Sequence, residues 1–241
     1  MLSGMDFQPV ERASEAFQQS LTAQEIRQVC GRALGGAVVP VSAVELGGGM
    51  YNNVYRVILA GRDRPVILRV ATAEHRQFRS KRHLMRNEYA SQPWLAVIAP
   101  LMPRVLAADW SHEMIARDWM IQTHLDGIPA PEHLGTYPRT AWPAFFGQMG
   151  AIARSVHDVR SPHFGPVSGP GYGRWSEAVI ASLEEVAADL DSVGLDAADI
   201  RKAAALAAHG SAVLDEVTEP RLLTGDLWTV NALMDPAAPS R

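Results

Sequence analysis

Residues 222–231 read Leu-Leu-Thr-Gly-Asp-Leu-Trp-Thr-Val-Asn, which places Asp226 and Asn231 five positions apart on a tight loop between two apolar runs. An Asp can accept a proton from an attacking hydroxyl, and the carbonyl oxygen of an Asn can bind a magnesium ion. This spacing favours phosphoryl transfer. The alternative is that Asp226 is a loop-capping carboxylate.

The composition indicates a folded chain with room for one large domain or two lobes. It has 241 residues, of which 47% are hydrophobic and 20% charged, enough to bury a sizeable core. No apolar run approaches the ~20 residues needed to cross a bilayer, and the first residues lack a signal-peptide pattern. The single cysteine, Cys30, excludes an internal disulfide and a thiolate metal site. We therefore expect a cytoplasmic protein without a membrane partner.

The charge distribution separates the two halves of the chain. The net charge of −4 gives no support for nucleic-acid binding. Residues 1–120 hold 14 Lys and Arg against 11 Asp and Glu, whereas residues 121–241 hold 8 against 15. A basic first half suits phosphates and an acidic second half suits a cationic substrate. Acidic helix faces exposed to solvent are the alternative explanation.

Hydrophobic periodicity predicts a mostly antiparallel sheet with one inserted helix in the first 120 residues. A helix is predicted over 21–34, before the Gly-Gly pair at 35–36, and a second one over 74–91. The predicted strands are 44–59, interrupted by the glycine-rich stretch 47–53, then 65–70, 105–109 and 119–124.

The remainder of the chain is predicted to be mainly helical. Helices are expected over 141–159, 175–190 and 196–217, and two short strands, 221–224 and 232–234, flank the Asp–Asn loop. We divide the chain into lobes 1–120, with a helical extension over 1–40, and 121–241, which carries the loop 222–231.

Two further features could contact phosphates. The glycines at 47–49 lie between two strands, where backbone N–H groups can approach a phosphate, although a simple turn is the alternative. Arg69 lies within an apolar run, so it must reach solvent, an anion or a carboxylate. Glu88, on the following predicted helix, is its obvious internal partner.

Six segments, taken in order, resemble the aminoglycoside phosphotransferase family, which shares the protein-kinase-like fold with fructosamine and choline kinases. They cover about residues 40–235 and read GGGMYNNVYRV, VILRVA, RNEYASQPWLA, IQTHLDGIPA, GQMGAIARSVHDV and LLTGDLWTVN. The resemblance implies an α+β fold with two lobes: an antiparallel-sheet N-lobe with one helix that binds nucleotide, and a mainly helical C-lobe.

The resemblance also implies roles for individual residues. Asp226 would be the catalytic base, and Asn231 would hold Mg²⁺. Arg69, steadied by Glu88, would contact the α- and β-phosphates of ATP. The residues implied to cover the phosphates are Gly48, Gly49 and Asn52, and those implied to bind adenine at the lobe junction are Gln122, His124 and Leu125.

Two departures from the family pattern shape our expectations about activity. Thr224 replaces the family's His before Gly-Asp, and a second metal-binding Asp and several helices usually follow the Asn loop, where only residues 232–241 remain. We therefore expect a C-terminally truncated, incomplete C-lobe with impaired catalysis and an uncovered face open to self-association.

The predicted function is phosphorylation, with ATP and Mg²⁺, of a hydroxyl on an amine-bearing small molecule. The alternatives are a non-catalytic remnant that at most binds nucleotide, a fructosamine-kinase-like enzyme suggested by Leu227 and Trp228, and a site completed by a partner chain. The sequence leaves the acceptor and the choice between ATP and GTP open.

Overall fold

The computed structural model describes residues 4–49 and 51–235, and the chain divides into two compact units. The first unit is Met1–Tyr89 with Pro103–His124, and the second is Ala90–Met102 with Leu125–Arg241. The predicted α+β class is confirmed, because a sheet dominates the first unit and helices dominate the second.

The first unit is built on a six-stranded sheet. Its strands are β1 (Asp6–Gln8), β2 (Pro40–Leu46), β3 (Asn53–Leu59), β4 (Val66–Val70), β5 (Val105–Asp109) and β6 (Trp119–Thr123), in the order β1-β2-β3-β4-β6-β5. Neighbouring strands are antiparallel except β1 and β2, which are parallel. β1 lies in the segment 1–40, where the sequence indicated only helix, because three residues are too few to show a strand period.

Alternation along the strands places the main core of the first unit on one face of the sheet. On β4, Leu68 and Val70 are fully buried, while the intervening Arg69 belongs to the opposite face. Helix α1 (Ala23–Leu34) covers the core face through residues that include Ile26. Its N-terminus is fixed by a capping box, in which the Thr22 hydroxyl accepts from the Glu25 N–H.

The helix predicted over 74–91 is wrong in its first half. Only Leu84–Ser91 is α-helical (α2), and residues Glu74–Arg76 and Arg79–Lys81 are isolated 3₁₀ turns. His83 adopts a left-handed backbone with φ 58°, which a continuous right-handed helix does not allow. The sequence carried no Gly or Pro here to signal the break.

The second unit contains most of the helices. They are α3 (Ala130–His133), α4 (Trp142–His157), α5 (Trp175–Ser192), α6 (Ala198–His209) and α7 (Ser211–Leu214), with 3₁₀ segments at Gln92–Leu101, Leu134–Thr136, Arg139–Ala141 and Thr229–Asn231. Strands β7 (Ile128–Pro129) and β8 (Leu233–Met234) form an antiparallel pair. Of the described residues, no helix has the length and apolar character to span a membrane.

Two predictions for this unit need correction. The helix predicted over 196–217 is divided at Gly210 into α6 and α7. The strand predicted over 221–224 does not form, since Arg221 makes only an isolated bridge with Arg160. A single bridge leaves the following residues free to enter the Asp–Asn loop rather than extend a sheet.

Candidate functional site

The Asp–Asn loop of the second unit brings its two predicted side chains into contact. Asn231 Nδ2 donates to the Asp226 backbone oxygen at 2.9 Å and to Asp226 Oδ2 at 2.8 Å. Gly225 has φ 67°, a conformation that glycine adopts without strain and that turns the chain before Asp226. Both side chains are exposed, so the pair is open to a ligand.

The direction of these hydrogen bonds decides what the pair can offer. Because the NH₂ group of Asn231 donates to Asp226, the carbonyl oxygen Oδ1 on the other side of the amide is directed away from that carboxylate. An amide oxygen is a ligand that Mg²⁺ accepts, with water and phosphate oxygens as further ligands. Within 4–49 and 51–235, no group of three or more His, Cys, Asp or Glu could hold a metal ion.

A histidine that the sequence did not assign to the loop supports its entry. The Thr224 N–H donates to His157 Nε2 at 3.3 Å, and His157 is the last residue of α4. The Leu222 N–H also donates to the Val159 carbonyl at 2.9 Å. The chain that enters the loop therefore pairs with the chain that leaves α4. No sequence signal connected these segments, because they lie more than 60 residues apart.

In the first unit, Arg69 and Glu88 form the predicted pair. Arg69 stands on β4 opposite Val54 of β3 and Met120 of β6, and its guanidinium donates to the carboxylate of Glu88 on α2. Both side chains are half-buried. The ion pair holds the arginine on the face of the sheet opposite the main core, where its remaining N–H groups can meet an anion.

The residues implied for adenine lie at the end of β6. Gln122 stands opposite Ile67 of β4, two positions from the Arg69–Met120 pair, so alternation places it on the same face as Arg69. The Thr123 N–H donates to the Arg104 carbonyl at 2.9 Å. His124 is the last residue of the first unit, and Leu125 begins the longer segment of the second. Both are half-buried.

The glycine-rich stretch joins β2 to β3. Gly47, Gly48 and Gly49 are exposed, and Gly48 has φ 92°, which a side chain would strain. Asn52, half-buried, immediately precedes β3. The stretch is therefore an open connection between antiparallel strands, as the sequence predicted.

A buried carboxylate that the sequence analysis missed fixes the base of this connection. Glu45 on β2 accepts from Asn53 Nδ2 at 2.7 Å and also from Arg12, Ser20 and the Val10 N–H. Desolvation raises the pKa of Glu45, but the four hydrogen bonds outweigh it, so the pKa lies below its ordinary value. An acid inside the run Ala43-Val44-Glu45-Leu46 was the available signal.

Comparison with known proteins assigns the chain to a family. The profile described as the phosphotransferase enzyme family (APH) matches residues 42–241. The chain belongs to this family. No curated protein matches the sequence of this phosphotransferase-family member.

Solved structures agree with the fold. The aminoglycoside phosphotransferase APH(4)-Ia is similar with a TM-score of 0.57 and 18% identity, over 89% of this chain and 68% of that one. A putative fructosamine-3-kinase from Haemophilus somnus 129PT has a TM-score of 0.49 and 16% identity, over 88% and 68%. The predicted protein-kinase-like α+β fold and family resemblance are thus confirmed for this phosphotransferase-family chain.

A further structure is similar over a smaller part. It is a thermostable mutant of APH(4)-Ia in a ternary complex with AMP-PNP and hygromycin B, with a TM-score of 0.44 and 17% identity. The match covers 66% of this chain and 49% of that one.

Proposed function

We propose that this member of the phosphotransferase enzyme family transfers the γ-phosphoryl group of ATP to a hydroxyl of an amine-bearing small molecule. The observation that carries the proposal is the contact between Asp226 and Asn231. It joins a carboxylate that can accept a proton to an amide whose oxygen can bind a cation. The exposure of both groups supports access by an acceptor.

In this proposal Asp226 orients the acceptor hydroxyl and takes its proton as the oxygen attacks phosphorus. Asn231 holds the Asp226 carboxylate in place through its NH₂ group. Its Oδ1 is the group that would hold Mg²⁺, which when bound would neutralise charge on the phosphates. His157 keeps the loop entry in position through the Thr224 N–H.

Most of the nucleotide contacts in this proposal come from the first unit. Arg69, held by Glu88, binds the α- and β-phosphates, since a guanidinium offers several donors to phosphate oxygens. The stretch that contains Gly48, Gly49 and Asn52 covers the phosphates with backbone N–H groups. Because the Thr123 N–H already donates to the Arg104 carbonyl, the backbone contacts with adenine would come from His124 and Leu125.

The acceptor is inferred from charge. Residues 121–241 hold 15 acidic against 8 basic side chains, which favours a cationic small molecule over an anionic one. An amine-bearing acceptor such as an aminoglycoside or a ketosamine fits this distribution. Leu227 and Trp228 in the loop keep the fructosamine-kinase-like alternative open.

The test is ATP consumption by the purified chain with Mg²⁺ and a panel of aminoglycosides, peptide antibiotics and ketosamines. Asp226→Asn keeps the size of the side chain but removes the proton acceptor, so we expect turnover to fall by about 10²–10⁴-fold. Asp199→Asn, the same change at an exposed position on α6, is the matched control and should leave turnover unchanged. Equal turnover in both variants would remove Asp226 from the mechanism.

A second candidate is a protein that binds nucleotide without transferring its phosphoryl group. Thr224 in the place of the family's His favours it, since a hydroxyl braces the loop less well than an imidazole. Calorimetry with ATP, with and without Mg²⁺, separates the candidates. Binding without turnover of any acceptor supports this one, and metal-dependent binding with turnover rejects it. If turnover appears only in samples that light scattering shows to be oligomers, the site is completed by a partner chain.

A further inference from the structure

The segment between β1 and α1, residues 10–20, has no helix or strand of its own, and we call it the strap. Side chains of the sheet unit hold its backbone at two points. Arg76 donates to the Ala16 carbonyl at 2.6 Å, and Arg117 donates to the Gln19 carbonyl at 2.7 Å. The two arginines therefore fix the strap on either side of Phe17 and Gln18.

A third anchor lies at the C-terminal end of the strap. The Ser20 hydroxyl donates to Glu45 at 2.7 Å, and the same carboxylate accepts from Asn53. Glu45 therefore connects the strap to the first residue of β3. Because buried Glu45 also accepts from the Val10 N–H at 3.0 Å, both ends of the strap are held beside the glycine-rich stretch.

Gln18 uses this position to bind the stretch itself. Its Nε2 donates to the Gly49 carbonyl at 3.0 Å and to the Asn52 carbonyl at 2.8 Å. One amide thus joins both sides of the turn, across 31 and 34 residues of sequence. Next to it, the Phe17 ring lies 5.2 Å from the Tyr51 ring, an arrangement that adds an aromatic contact.

Hydrogen bonds from side chains hold several carbonyl groups of the glycine-rich stretch 47–53. The Thr72 hydroxyl donates to the Tyr51 carbonyl at 2.7 Å, so the carbonyls of Gly49, Tyr51 and Asn52 are all held by side-chain donors. In a trans peptide the carbonyl and the following N–H point in opposite directions. Holding the Tyr51 carbonyl therefore directs the Asn52 N–H away from Thr72. A phosphate is attracted by such N–H groups and repelled by carbonyl oxygens.

We propose that Gln18 is a positioning residue for nucleotide: by holding the carbonyls of Gly49 and Asn52, it fixes the stretch in which Thr72 directs the Asn52 N–H, the group offered to the phosphates. The inference rests on the proposed function for its ligand, but the clamp itself exists without ligand. It assigns to the strap a role in phosphate affinity.

Gln18→Glu tests the clamp with little change of shape. A carboxylate cannot donate to carbonyl oxygens, so both hydrogen bonds are lost. Gln19→Glu is the matched control: it makes the same change and adds the same charge one residue away. Among the described residues, Gln19 Nε2 donates to the Ser14 and Ala16 carbonyls, both within the strap. Equal melting temperatures for the two variants would show that both are folded.

The first readout is hydrogen–deuterium exchange of the ligand-free protein over residues 47–53. We expect faster exchange there in Gln18→Glu than in Gln19→Glu and wild type. Unchanged exchange in Gln18→Glu would overturn the clamp, whatever the outcome with nucleotide.

The second readout is calorimetry with ATP and with adenosine, which lacks phosphates. We expect Gln18→Glu to bind ATP about five- to tenfold more weakly than wild type and to bind adenosine with wild-type affinity. The affinity of Gln19→Glu for both ligands should lie within about twofold of the wild-type value. Equal ATP affinity of Gln18→Glu and wild type would overturn the positioning role. A wild-type protein that binds no ATP would overturn the proposed function and this role together, and the exchange data would then report on the clamp alone.

Discussion

The two units of the chain bury their apolar side chains to very different degrees. In the first unit, Tyr55, Leu68 and Ile121 have no exposed surface, and both clusters of buried hydrophobic residues found in the described part of the chain lie within this unit. In the second unit, Leu206 and Val213 are 64% and 69% exposed. The first unit therefore has a closed apolar core, whereas the second unit leaves large apolar side chains such as these exposed.

This difference extends to the candidate site. Arg69 belongs to a strand of the buried sheet, so its geometry depends on the core. Asp226 and Asn231 lie on an exposed loop, and the contact between them is local. Substitutions in the first unit should therefore change stability and binding together, while those in the loop should change the chemistry alone.

The largest expected effect is that of a core truncation in the first unit. Leu68→Ala removes a fully buried side chain on β4, so the free energy of unfolding should fall by about 2–5 kcal/mol. Leu206→Ala makes the same change on α6, where the side chain is mostly exposed, and should change it by less than about 0.5 kcal/mol. Denaturant titration of both variants measures this. Equal losses would break the contrast between the units.

Substitutions of Arg69 test whether a residue of the buried sheet contacts the phosphates of ATP. Arg69→Met removes the charge, so we expect ATP affinity to fall by about 1.5–3 kcal/mol, the range for a hydrogen bond to a charged group. Arg69→Lys keeps a positive charge at this position of β4, so it should lose much less. Arg27→Met, an exposed site on α1, is the control. ATP calorimetry that finds wild-type affinity in Arg69→Met would exclude Arg69 from the site.

The smallest effect is the pH dependence contributed by Glu45. Its pKa in the folded protein is lowered from 4.5, so the unfolded chain binds the proton more tightly. The stabilisation is fully present above about 4.5 and is lost as the pH falls through the lowered folded pKa. Glu45→Gln should cost about 1 kcal/mol near neutral pH and flatten the acid side of the stability curve. Thermal melts at several pH values would show an unchanged slope if Glu45 made no contribution.

Periodicity and motif order recovered much of the fold. The strand pairs β3–β4 and β5–β6 and helices α1, α4 and α5 lie within a few residues of the predicted ranges, because each shows a clear apolar period. The helix over 74–91 failed because the left-handed residue His83 has no sequence signature. The short strands β1 and β7 were missed because two or three residues show no period.

The sequence predicted the paired residues of the candidate site but not the residues that hold them in place. Asp226 with Asn231 and Arg69 with Glu88 are in contact. The sequence named the first two residues from their spacing, and it named Glu88 as the partner of Arg69 because Glu88 lies on the following predicted helix. The roles assigned to these residues, the cytoplasmic location, the absence of a nucleic-acid partner and self-association remain predictions. His157, Glu45 and Gln18 were not assigned, since their partners lie 67, 8 and about 30 residues away without any shared pattern.

The amino-acid sequence alone established the α+β class, the order of the motifs and the family, because these depend on local periodicity and on short spacings within single loops. The three-dimensional fold established which carbonyls Gln18 holds, which donors surround Glu45 and which nitrogen of His157 meets the Asp–Asn loop. These hydrogen bonds join residues that are brought together only when the sheet and helices pack, and their free energy depends on distance and burial, which a linear pattern does not encode.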